Sequence, residues 1–339
     1  MTANAATRLL QHYVDNYREL PWRSPPDSQA PDPYVVWLSE IMLQQTTVAA
    51  VTPRFERFLG RWPTIEALAA AKDEEILSEW AGLGYYARAR NLIASAREIA
   101  QRGVFPSTEA ELRALPGVGA YTAAAIAAIA FGKPAAAIDT NVERVIARLN
   151  AIERPTRKQI ETMVLALLPP GQAGDFTQAM MDLGATVCRP RAPLCQTCPL
   201  QADCVGFASG SPEAFPARRP KPLRLVRHGY AYWTERGGKV WLVRRPAKGL
   251  LGGMAALPVS EWIEGDLPAG PGQLGTIHHV FTHFALELRV LLCTEPQGEG
   301  WWQPIETLPA AGLPTLFRRA AELAIRSVRE QDRDGRAAA

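Results

Sequence analysis

The segment Leu115–Val145 constrains the fold of this 339-residue chain more strongly than any other. It opens with a glycine turn, PGVG at 116–119, and continues into an alanine-rich run, and alanine is the best helix former. Glycines let backbone N–H groups approach a ligand closely, and a helix N-terminus carries a partial positive charge. Gly117 and Gly119 therefore predict an anion-binding turn between two helices, of the kind that grips a phosphate.

A carboxylate follows this turn a short distance along the chain. Thr140 and Glu143 fit a capping box, which places Asp139 at the mouth of the next helix. An anion-binding turn beside a carboxylate suits an enzyme that grips a nucleic-acid backbone and carries out chemistry next to it. Each feature also has a purely structural interpretation, because such a turn can simply join two helices and an aspartate can simply cap one.

Four of the five cysteines crowd into one short segment with the spacing C-x6-C-x2-C-x5-C. In a reducing compartment, clustered cysteines are more often metal ligands than disulfides. Four thiolates in one loop can bind zinc or an iron–sulfur cluster, and the spacing does not choose between them. The four predicted ligands are Cys188, Cys195, Cys198 and Cys204.

Length and charge set broad limits on the class of protein. The 339 residues predict two domains, and the formal charge of +3 neither requires nor excludes a nucleic-acid partner. No apolar run is long enough to span a membrane, and residues 1–20 lack the apolar core of a secretory signal. We therefore expect a cytoplasmic protein with no membrane partner.

A glutamate inside an apolar segment is a second candidate for chemistry. Residues 34–51 predict one long helix, on which Val36, Glu40, Leu43 and Thr47 share a face. If Glu40 is buried, the loss of solvation raises the pKa of its carboxyl and makes it a usable general acid near neutral pH. A solvated position on the rim of the helix is the simpler alternative.

The composition changes where the mostly helical first part of the chain ends. Residues 1–206 form a predicted all-α domain, and residues 207–224 form a linker rich in proline and basic residues. Residues 225–329 predict an α+β domain, and the tail at 330–339 is expected to be disordered.

Strand patterns characterise the second domain. Residues 227–233 and 240–244 flank the Gly237-Gly238 turn and predict a hairpin. Residues 284–292 predict a further strand, and residues 313–326 predict a closing helix.

Five motifs, in their order along the chain, resemble those of the helix-hairpin-helix DNA glycosylases, and specifically the adenine DNA glycosylase (MutY) family. They are WLSEIMLQQT at 37–46, GLGYY at 82–86, LPGVG at 115–119, Asp139-x-Asn141 and the four-cysteine spacing. The resemblance implies a multidomain fold. An all-α domain, with its helix-hairpin-helix at about 110–130 and an iron–sulfur cluster loop at 188–204, would precede an α+β Nudix-like domain.

The resemblance also implies a base-excision-repair enzyme that removes adenine mispaired with 8-oxoguanine, or with guanine, from duplex DNA. The adenine would be flipped out of the stack into a pocket. Glu40 matches the family's general acid, which protonates adenine N7, and Asp139 matches the carboxylate that stabilises the oxocarbenium-like sugar before water attacks. Tyr121 and Asn141 match residues beside the same sugar. The family implies a monofunctional glycosylase, and we expect a monomer.

Further residues match family positions that contact adenine, DNA or the cofactor. Positions in the adenine pocket are matched by Arg18, Leu20, Trp22, Arg23 and Gln178. DNA-contacting positions are matched by Gln45, Tyr85, Gly117, Gly119, Phe281, Thr282 and His283, the last three in the loop that would read 8-oxoguanine. The four clustered cysteines match the ligands of a structural 4Fe-4S cluster.

Three residues depart from the family's usual pattern. Thr47 follows Thr46 where glutamine or arginine is commoner. Thr282 stands where serine is usual, which keeps a hydroxyl and adds a methyl group. Thr140 stands where glycine is usual, and a threonine at this position resembles the endonuclease III branch. The second domain also lacks the glutamate-rich motif of Nudix hydrolases, so we expect no pyrophosphate hydrolysis there.

Three other functions stay open at this point. A glycosylase/lyase acting on oxidised pyrimidines needs a nucleophilic lysine, but Tyr121 occupies the matching position and residues 103–131 contain no lysine. A mismatch thymine glycosylase also fits Tyr121, whereas the second domain and Gln178 favour adenine. A non-catalytic iron–sulfur DNA-binding protein would lack a catalytic carboxylate, and both Glu40 and Asp139 are present.

Overall fold

The chain divides into two compact units, residues 1–76 with 88–220 and residues 77–87 with 221–339. This computed structural model describes residues 3–80, 82–217, 224–246, 249–281 and 283–337. Each unit has its own buried apolar core. A helical part is followed by a mixed α and β part, so the predicted fold class is confirmed.

Twelve α-helices make up most of the described residues between 3 and 208. Helix α8 lies at the centre of the first unit, because eight of its twelve residues are buried and it packs against α2, α7 and α11. A π-helical turn, Leu183–Val187, follows α11. The α-helices are α1 (Ala3–Asn16), α2 (Pro33–Leu43), α3 (Val48–Arg61), α4 (Ile65–Ala70), α5 (Asp73–Glu79), α6 (Tyr86–Arg102), α7 (Glu109–Ala114), α8 (Ala120–Phe131), α9 (Thr140–Leu149), α10 (Arg157–Leu167), α11 (Ala173–Asp182) and α12 (Val205–Ala208).

The prediction of a single helix over residues 34–51 is wrong, because α2 ends and α3 begins within that range. Gln45, between them, has a left-handed backbone with φ of 55°. Arg88 donates hydrogen bonds of 3.0 and 2.9 Å to two of the last carbonyls of α2, which satisfies that helix end. Thr47 accepts a hydrogen bond from the N–H of Ala50 and so caps α3.

The start of α9 also differs from the predicted capping box. Asp139 is the N-cap, and its carboxylate accepts a hydrogen bond from Val142 N at 2.7 Å. Thr140 is the first helical residue, so the prediction that Thr140 and Glu143 form a capping box is wrong. Aspartate is at least as good a cap as threonine, and it stands one position earlier.

Two sheets form the framework of the second unit. One has the strand order β5-β1-β7-β6, with β1 and β7 parallel, and the other joins β2, β3 and β4, with β8 also on β3. The strands are β1 (Leu225–Trp233), β2 (Glu235–Arg236), β3 (Lys239–Arg244), β4 (Ala255–Ala256), β5 (Ile263–Glu264), β6 (Gln273–Val280), β7 (Phe284–Leu292) and β8 (Gly300–Pro304).

The hairpin at Gly237-Gly238 joins β2 to β3, so the predicted pairing of residues 227–233 with 240–244 is wrong. The turn lies where it was expected, but β1 belongs to the other sheet. Its inward side chains Ala231 and Trp233 are fully buried in the core that β7 shares, and this burial decides the pairing.

The last helix, α13 (Thr315–Ala337), packs against β6, β1 and β7. Its buried face includes Phe317, Ala320 and Ala324. The helix extends to Ala337, and the expectation of disorder over residues 330–339 stays a prediction. None of the helices in the described ranges is both long and apolar enough to cross a membrane.

Candidate active site

One cavity of about 730 Å³ in the first unit brings together the residues predicted to act on adenine and its sugar. Its walls come from α2, α8, α9 and α11 and from the segment that follows α1. A cavity of this size is typical of small-molecule sites and is large enough for a purine nucleoside. The predicted residues in its lining are Arg18, Leu20, Trp22, Arg23, Glu40, Gln45, Tyr121, Asp139, Asn141 and Gln178.

Glu40 is a buried carboxyl group on the α2 wall of this cavity. Only 7% of the residue is exposed, and burial raises the pKa of its carboxyl from the usual 4.5 to about 7. A hydrogen bond with the Tyr121 side chain and the charge of Arg23 lower this pKa, whereas the Asp139 carboxylate raises it. A carboxyl with such a pKa holds its proton close to neutral pH and can donate it to a bound base.

Tyr121, on α8, faces both carboxyl groups. Burial raises the pKa of its hydroxyl well above 10, and the charges of Glu40 and Asp139 raise it further. The hydroxyl oxygen also lies 3.9 Å from the sulfur of Met181. Tyr121 is therefore a neutral hydrogen-bonding group at any pH at which the protein works.

Asp139 is held in a fixed orientation at the N-terminus of α9. One carboxylate oxygen accepts the Val142 N–H bond that caps the helix, and the other accepts a hydrogen bond from Asn141 Nδ2, also at 2.7 Å. The positive end of the helix dipole favours a negative charge at this position. Asp139 is thus a preoriented anion in the wall of the cavity.

Arg144 is a residue that the sequence analysis did not identify. Its Nη2 donates to Asn141 Oδ1 at 2.8 Å and to the carbonyl of Gly184 at 2.7 Å, and its Nε donates to the carbonyl of Cys188 at 2.8 Å. One buried guanidinium therefore ties the Asn141–Asp139 pair to the π-helical turn and to the start of the cysteine loop. Its place one turn after Asn141 on α9 was the available sequence signal.

Asp182 is the second residue that was missed, and it lies at the end of α11. Arg18 Nε donates to its carboxylate at 2.7 Å, and Arg23 Nη1 donates to it at 2.6 Å. Asp182 and the Arg23 side chain are both buried. Gln178 lies one helical turn earlier on α11, and this i,i+4 spacing could have pointed to Asp182.

Two further predicted pocket residues are buried in the wall. Trp22 packs edge-on against Phe55, with 5.2 Å between the ring centroids. Gln178 is 4% exposed, and its Nε2 lies 3.5 Å from the carbonyl of Gly174, which is at the limit of a hydrogen bond.

The glycine turn before α8 is exposed, as an anion site requires. Gly117 has a φ of 75°, and a Cβ at this position would lie 2.7 Å from Asn91 Cβ, so only glycine fits. Gly119 is the N-cap of α8 and has no side chain to satisfy the first N–H groups of that helix. The turn can therefore offer N–H groups to a phosphate.

Gln45 and Tyr85, both predicted to contact DNA, are exposed residues with a left-handed backbone. Their φ angles are 55° and 47°. Tyr85 is 54% exposed, which is a large fraction for an aromatic residue. Such φ values are uncommon outside glycine and often mark functional positions.

The predicted reading loop begins with Phe281 at the end of β6. The Phe281 ring is half-buried among other rings, whereas His283 is exposed. Thr282, between them in the chain, lies outside the described residues, so the prediction that it contacts the oxidised base stays a prediction.

The four clustered thiols lie near one another beside the core of the first unit. Burial raises the pKa of Cys195, Cys198 and Cys204, that of Cys198 to about 11, and the neighbouring thiols add to each shift. Arg148 Nη1 lies 3.4 Å from Cys188 Sγ. Across the described ranges, no three His, Cys, Asp or Glu side chains are arranged to hold a metal ion.

Known proteins share both parts of this architecture. Residues 38–170 match the HhH-GPD superfamily of base excision DNA repair proteins, and residues 229–323 match the NUDIX domain. The chain is 34% identical to the human adenine DNA glycosylase, over 86% of this chain and 69% of that protein. It is 43% identical to the adenine DNA glycosylase of Mycolicibacterium smegmatis, over 62% of this chain and 72% of that protein.

Solved structures resemble the helical part of the chain. A thermostable thymine-DNA glycosylase is 31% identical with a TM-score of 0.55, over 60% of this chain and 95% of that one. An endonuclease III–DNA complex is 25% identical with a TM-score of 0.52, over 62% of this chain and 98% of that one. The cavity holds a buried acid and an oriented carboxylate, and the chain is 34% identical to a known adenine DNA glycosylase. The protein is therefore a DNA glycosylase of base excision repair, and it belongs to the adenine DNA glycosylase family.

Proposed function

We propose that this enzyme removes adenine paired with 8-oxoguanine, or with guanine, from duplex DNA and acts as a monofunctional glycosylase. The observation that carries the proposal is the pairing, in one cavity, of Glu40, whose pKa is about 7, with the fixed Asp139 carboxylate. Glycoside hydrolysis needs one protonated and one ionised carboxyl group, and the two environments separate these roles.

The chemistry begins with a proton. Protonated Glu40 donates to N7 of the flipped adenine, and the electrons of the N-glycosidic bond then move onto the base as the bond breaks. The sugar is left as an oxocarbenium-like cation at C1′, which the Asp139 carboxylate stabilises. Water adds to C1′ and gives up its proton to a carboxylate, so that free adenine and an abasic site result.

Five pocket residues would hold the adenine. Trp22 and Leu20 offer apolar contact, Gln178 offers an amide, and Arg18 and Arg23 are anchored on Asp182. Tyr121 and Asn141 would lie beside the sugar, since they line the cavity next to the two carboxyl groups. No lysine is among the described residues of the lining, in keeping with hydrolysis without a Schiff base.

Contacts with DNA would come from exposed features of the chain. The turn at Gly117 and Gly119 would bind a phosphate, and Gln45 and Tyr85 would enter the base stack near the oxidised base. In the second unit, the loop at 281–283 would read 8-oxoguanine. We also propose that the protein acts as a monomer in the cytoplasm.

The cysteine loop would hold a 4Fe-4S cluster through Cys188, Cys195, Cys198 and Cys204. The chemistry of the donors suits iron, although their side chains are not arranged around a metal position in the described ranges. N–H donors point at sulfur from Arg148 and from the backbone of Phe207, both at 3.4 Å. Such a cluster would supply thiolate–iron bonds that fix the loop. Arg148 also donates to the carbonyl of Arg189, and its own carbonyl lies 3.5 Å from Cys204 Sγ, so it contacts both ends of that loop.

The test is single-turnover base release from four duplexes, carrying A opposite 8-oxoguanine, A opposite G, T opposite G, and thymine glycol opposite A. The proposal expects fast adenine release from the first duplex and strand breakage only after added alkali. Release of thymine opposite G would instead assign the mismatch-thymine activity of the 31%-identical structural relative. Spontaneous nicking at thymine glycol would assign a lyase, and binding without any release would leave a non-catalytic protein.

A further inference from the structure

The hairpin between β6 and β7 ends in a tight turn. Val280 pairs with Ala285, and Phe281 N donates a hydrogen bond of 2.9 Å to the carbonyl of Phe284. This bond fixes Phe281 and Phe284 at the base of the turn. His283, which precedes Phe284, is exposed.

Phe281 lies in a cluster of rings that two arginines flank, and the His279 ring also lies 4.6 Å from it. The Phe281 ring is stacked on Trp262, at 5.7 Å and 26° between planes, and lies 4.9 Å from the ring of Phe284. The guanidinium carbon of Arg245 lies 5.4 Å from the Trp262 ring, and that of Arg227 lies 4.8 Å from the Phe284 ring. We call Phe281, Trp262, Phe284 and the two arginines the Phe281 stack.

The two arginines of the Phe281 stack are held mainly by ring faces. The Nε atoms of both, and Nε1 of Trp262, are buried without a hydrogen-bond partner among the described residues. Arg227 has a distant ion pair of 3.7 Å with Glu264, and both side chains of that pair are exposed. Because buried donors without partners cost free energy, the attraction between cation and ring offsets that cost.

The backbone of β1 supports the Phe281 stack from the side of Trp262. A Cβ at Gly229 would lie 2.5 Å from Trp262 Cδ1, so the absence of a side chain there is what admits the indole ring. Trp262 comes directly before β5, which pairs with β1 at Arg227 and His228. The sheet therefore fixes both Trp262 and Arg227.

We propose that Arg245 and Trp262 are positioning residues for base selectivity, acting through Phe281. They hold the base of the turn in one conformation, so that the exposed His283 meets the oxidised base opposite the adenine in a single arrangement. This inference rests on the proposed function, because it assigns the support of the loop that would read 8-oxoguanine. Each stacked or cation–π contact is worth about twofold to tenfold at a half-buried site.

The test compares Arg245→Met with the matched control Arg244→Met. Arg244 is the neighbouring arginine, and its guanidinium carbon lies 5.7 Å from the ring of Trp301, outside the Phe281 stack. For each variant, single-turnover adenine release is measured with A opposite 8-oxoguanine and with A opposite G. We expect Arg245→Met to lower the ratio of the two rates by about threefold to tenfold, while Arg244→Met leaves the ratio within about twofold.

A second pair of variants tests the ring itself and guards against loss of folding. Trp262→Phe keeps a ring and should retain most of the ratio, whereas Trp262→Leu should lower it at least as far as Arg245→Met does. Failure of the wild type to release adenine from either duplex would overturn the proposed function, whereas a wild-type ratio near one would overturn this inference and leave an adenine glycosylase. A clear wild-type ratio that survives Arg245→Met and Trp262→Leu, or that falls equally in Arg244→Met, would overturn this inference alone.

Discussion

Two buried carboxyl groups of the first unit differ in what surrounds them: Glu40 lines the cavity, whereas Asp182 binds two arginines that line it. Glu40, on α2, has the Tyr121 side chain as its hydrogen-bond partner, and the charge of Arg23 acts on it only as a weaker opposing influence. Asp182, on α11, accepts charged hydrogen bonds from Arg18 and Arg23. The two residues are equally buried, at 7% and 6% exposed.

The comparison teaches that burial alone does not decide what a carboxyl group does. Burial without a neutralising partner makes Glu40 hold a proton, and a held proton can be donated. Burial against two guanidinium groups lets Asp182 keep the side chains of Arg18 and Arg23 in place. One buried carboxyl group thus serves as an acid in the cavity wall, and the other anchors two residues of that wall.

The strongest way to break the comparison is to remove the proton of Glu40 while keeping its shape. Glu40→Gln should bind substrate duplex normally but lower the single-turnover rate of adenine release by about 10²- to 10⁴-fold, the usual size of general acid catalysis. The matched control is Glu98→Gln, which changes an exposed glutamate paired with Arg102 on α6. A Glu40→Gln rate within about tenfold of the wild type would remove Glu40 from the role of acid.

The second substitution removes the anchor. Asp182→Asn leaves Arg18 and Arg23 without their carboxylate, and breaking a buried ion pair in this way costs about 3 to 5 kcal/mol. Urea unfolding measures that loss of free energy. Glu98→Gln serves again as the control and should cost at most about 1 kcal/mol, because its ion pair is at the surface. Equal costs for the two variants would mean that Asp182 is no anchor.

The third prediction concerns pH and has the smallest effect. Because the pKa of Glu40 is raised from 4.5 to about 7, its contribution to stability is present below pH 4.5 and is lost as the pH rises through 7. The loss amounts to about 3 kcal/mol at high pH. The glutamine of Glu40→Gln does not titrate. The free energy of unfolding of this variant, relative to that of the wild type, should therefore rise by about 2 to 3 kcal/mol between roughly pH 5 and pH 8.5, as measured by urea unfolding. A constant difference between the two proteins would contradict the raised pKa.

Sequence reasoning predicted the parts of the site that depend on short, ordered motifs. Glu40, Tyr121, Asp139 and Asn141 were named from their motifs, and they line one cavity. The polar residue within an apolar helix was already informative, since a glutamate at such a position is either on the rim or buried with a raised pKa. The sequence could not decide which, because the answer depends on how α8 packs against α2.

The parts that were missed depend on contacts between distant segments. Asp182 becomes an anchor only because Arg18 and Arg23 approach it from more than 150 positions away in the chain. The break in residues 34–51 depends on Arg88, which comes from another helix. The predicted pairing of residues 227–233 with 240–244 was wrong for the same reason, because it also depends on a distant contact. The burial of Trp233 against β7 outweighs the local preference for the nearest partner strand.

The most direct test of the account is the pH dependence of single-turnover adenine release from a duplex with A opposite 8-oxoguanine. If protonated Glu40 is the acid, the rate should be level below about pH 7 and should fall about tenfold per pH unit above it. The residual rate of Glu40→Gln should lack this fall. A wild-type rate that stays level from about pH 6 to pH 9, with Glu40→Gln equally active, would contradict the assignment of the buried glutamate as the proton donor.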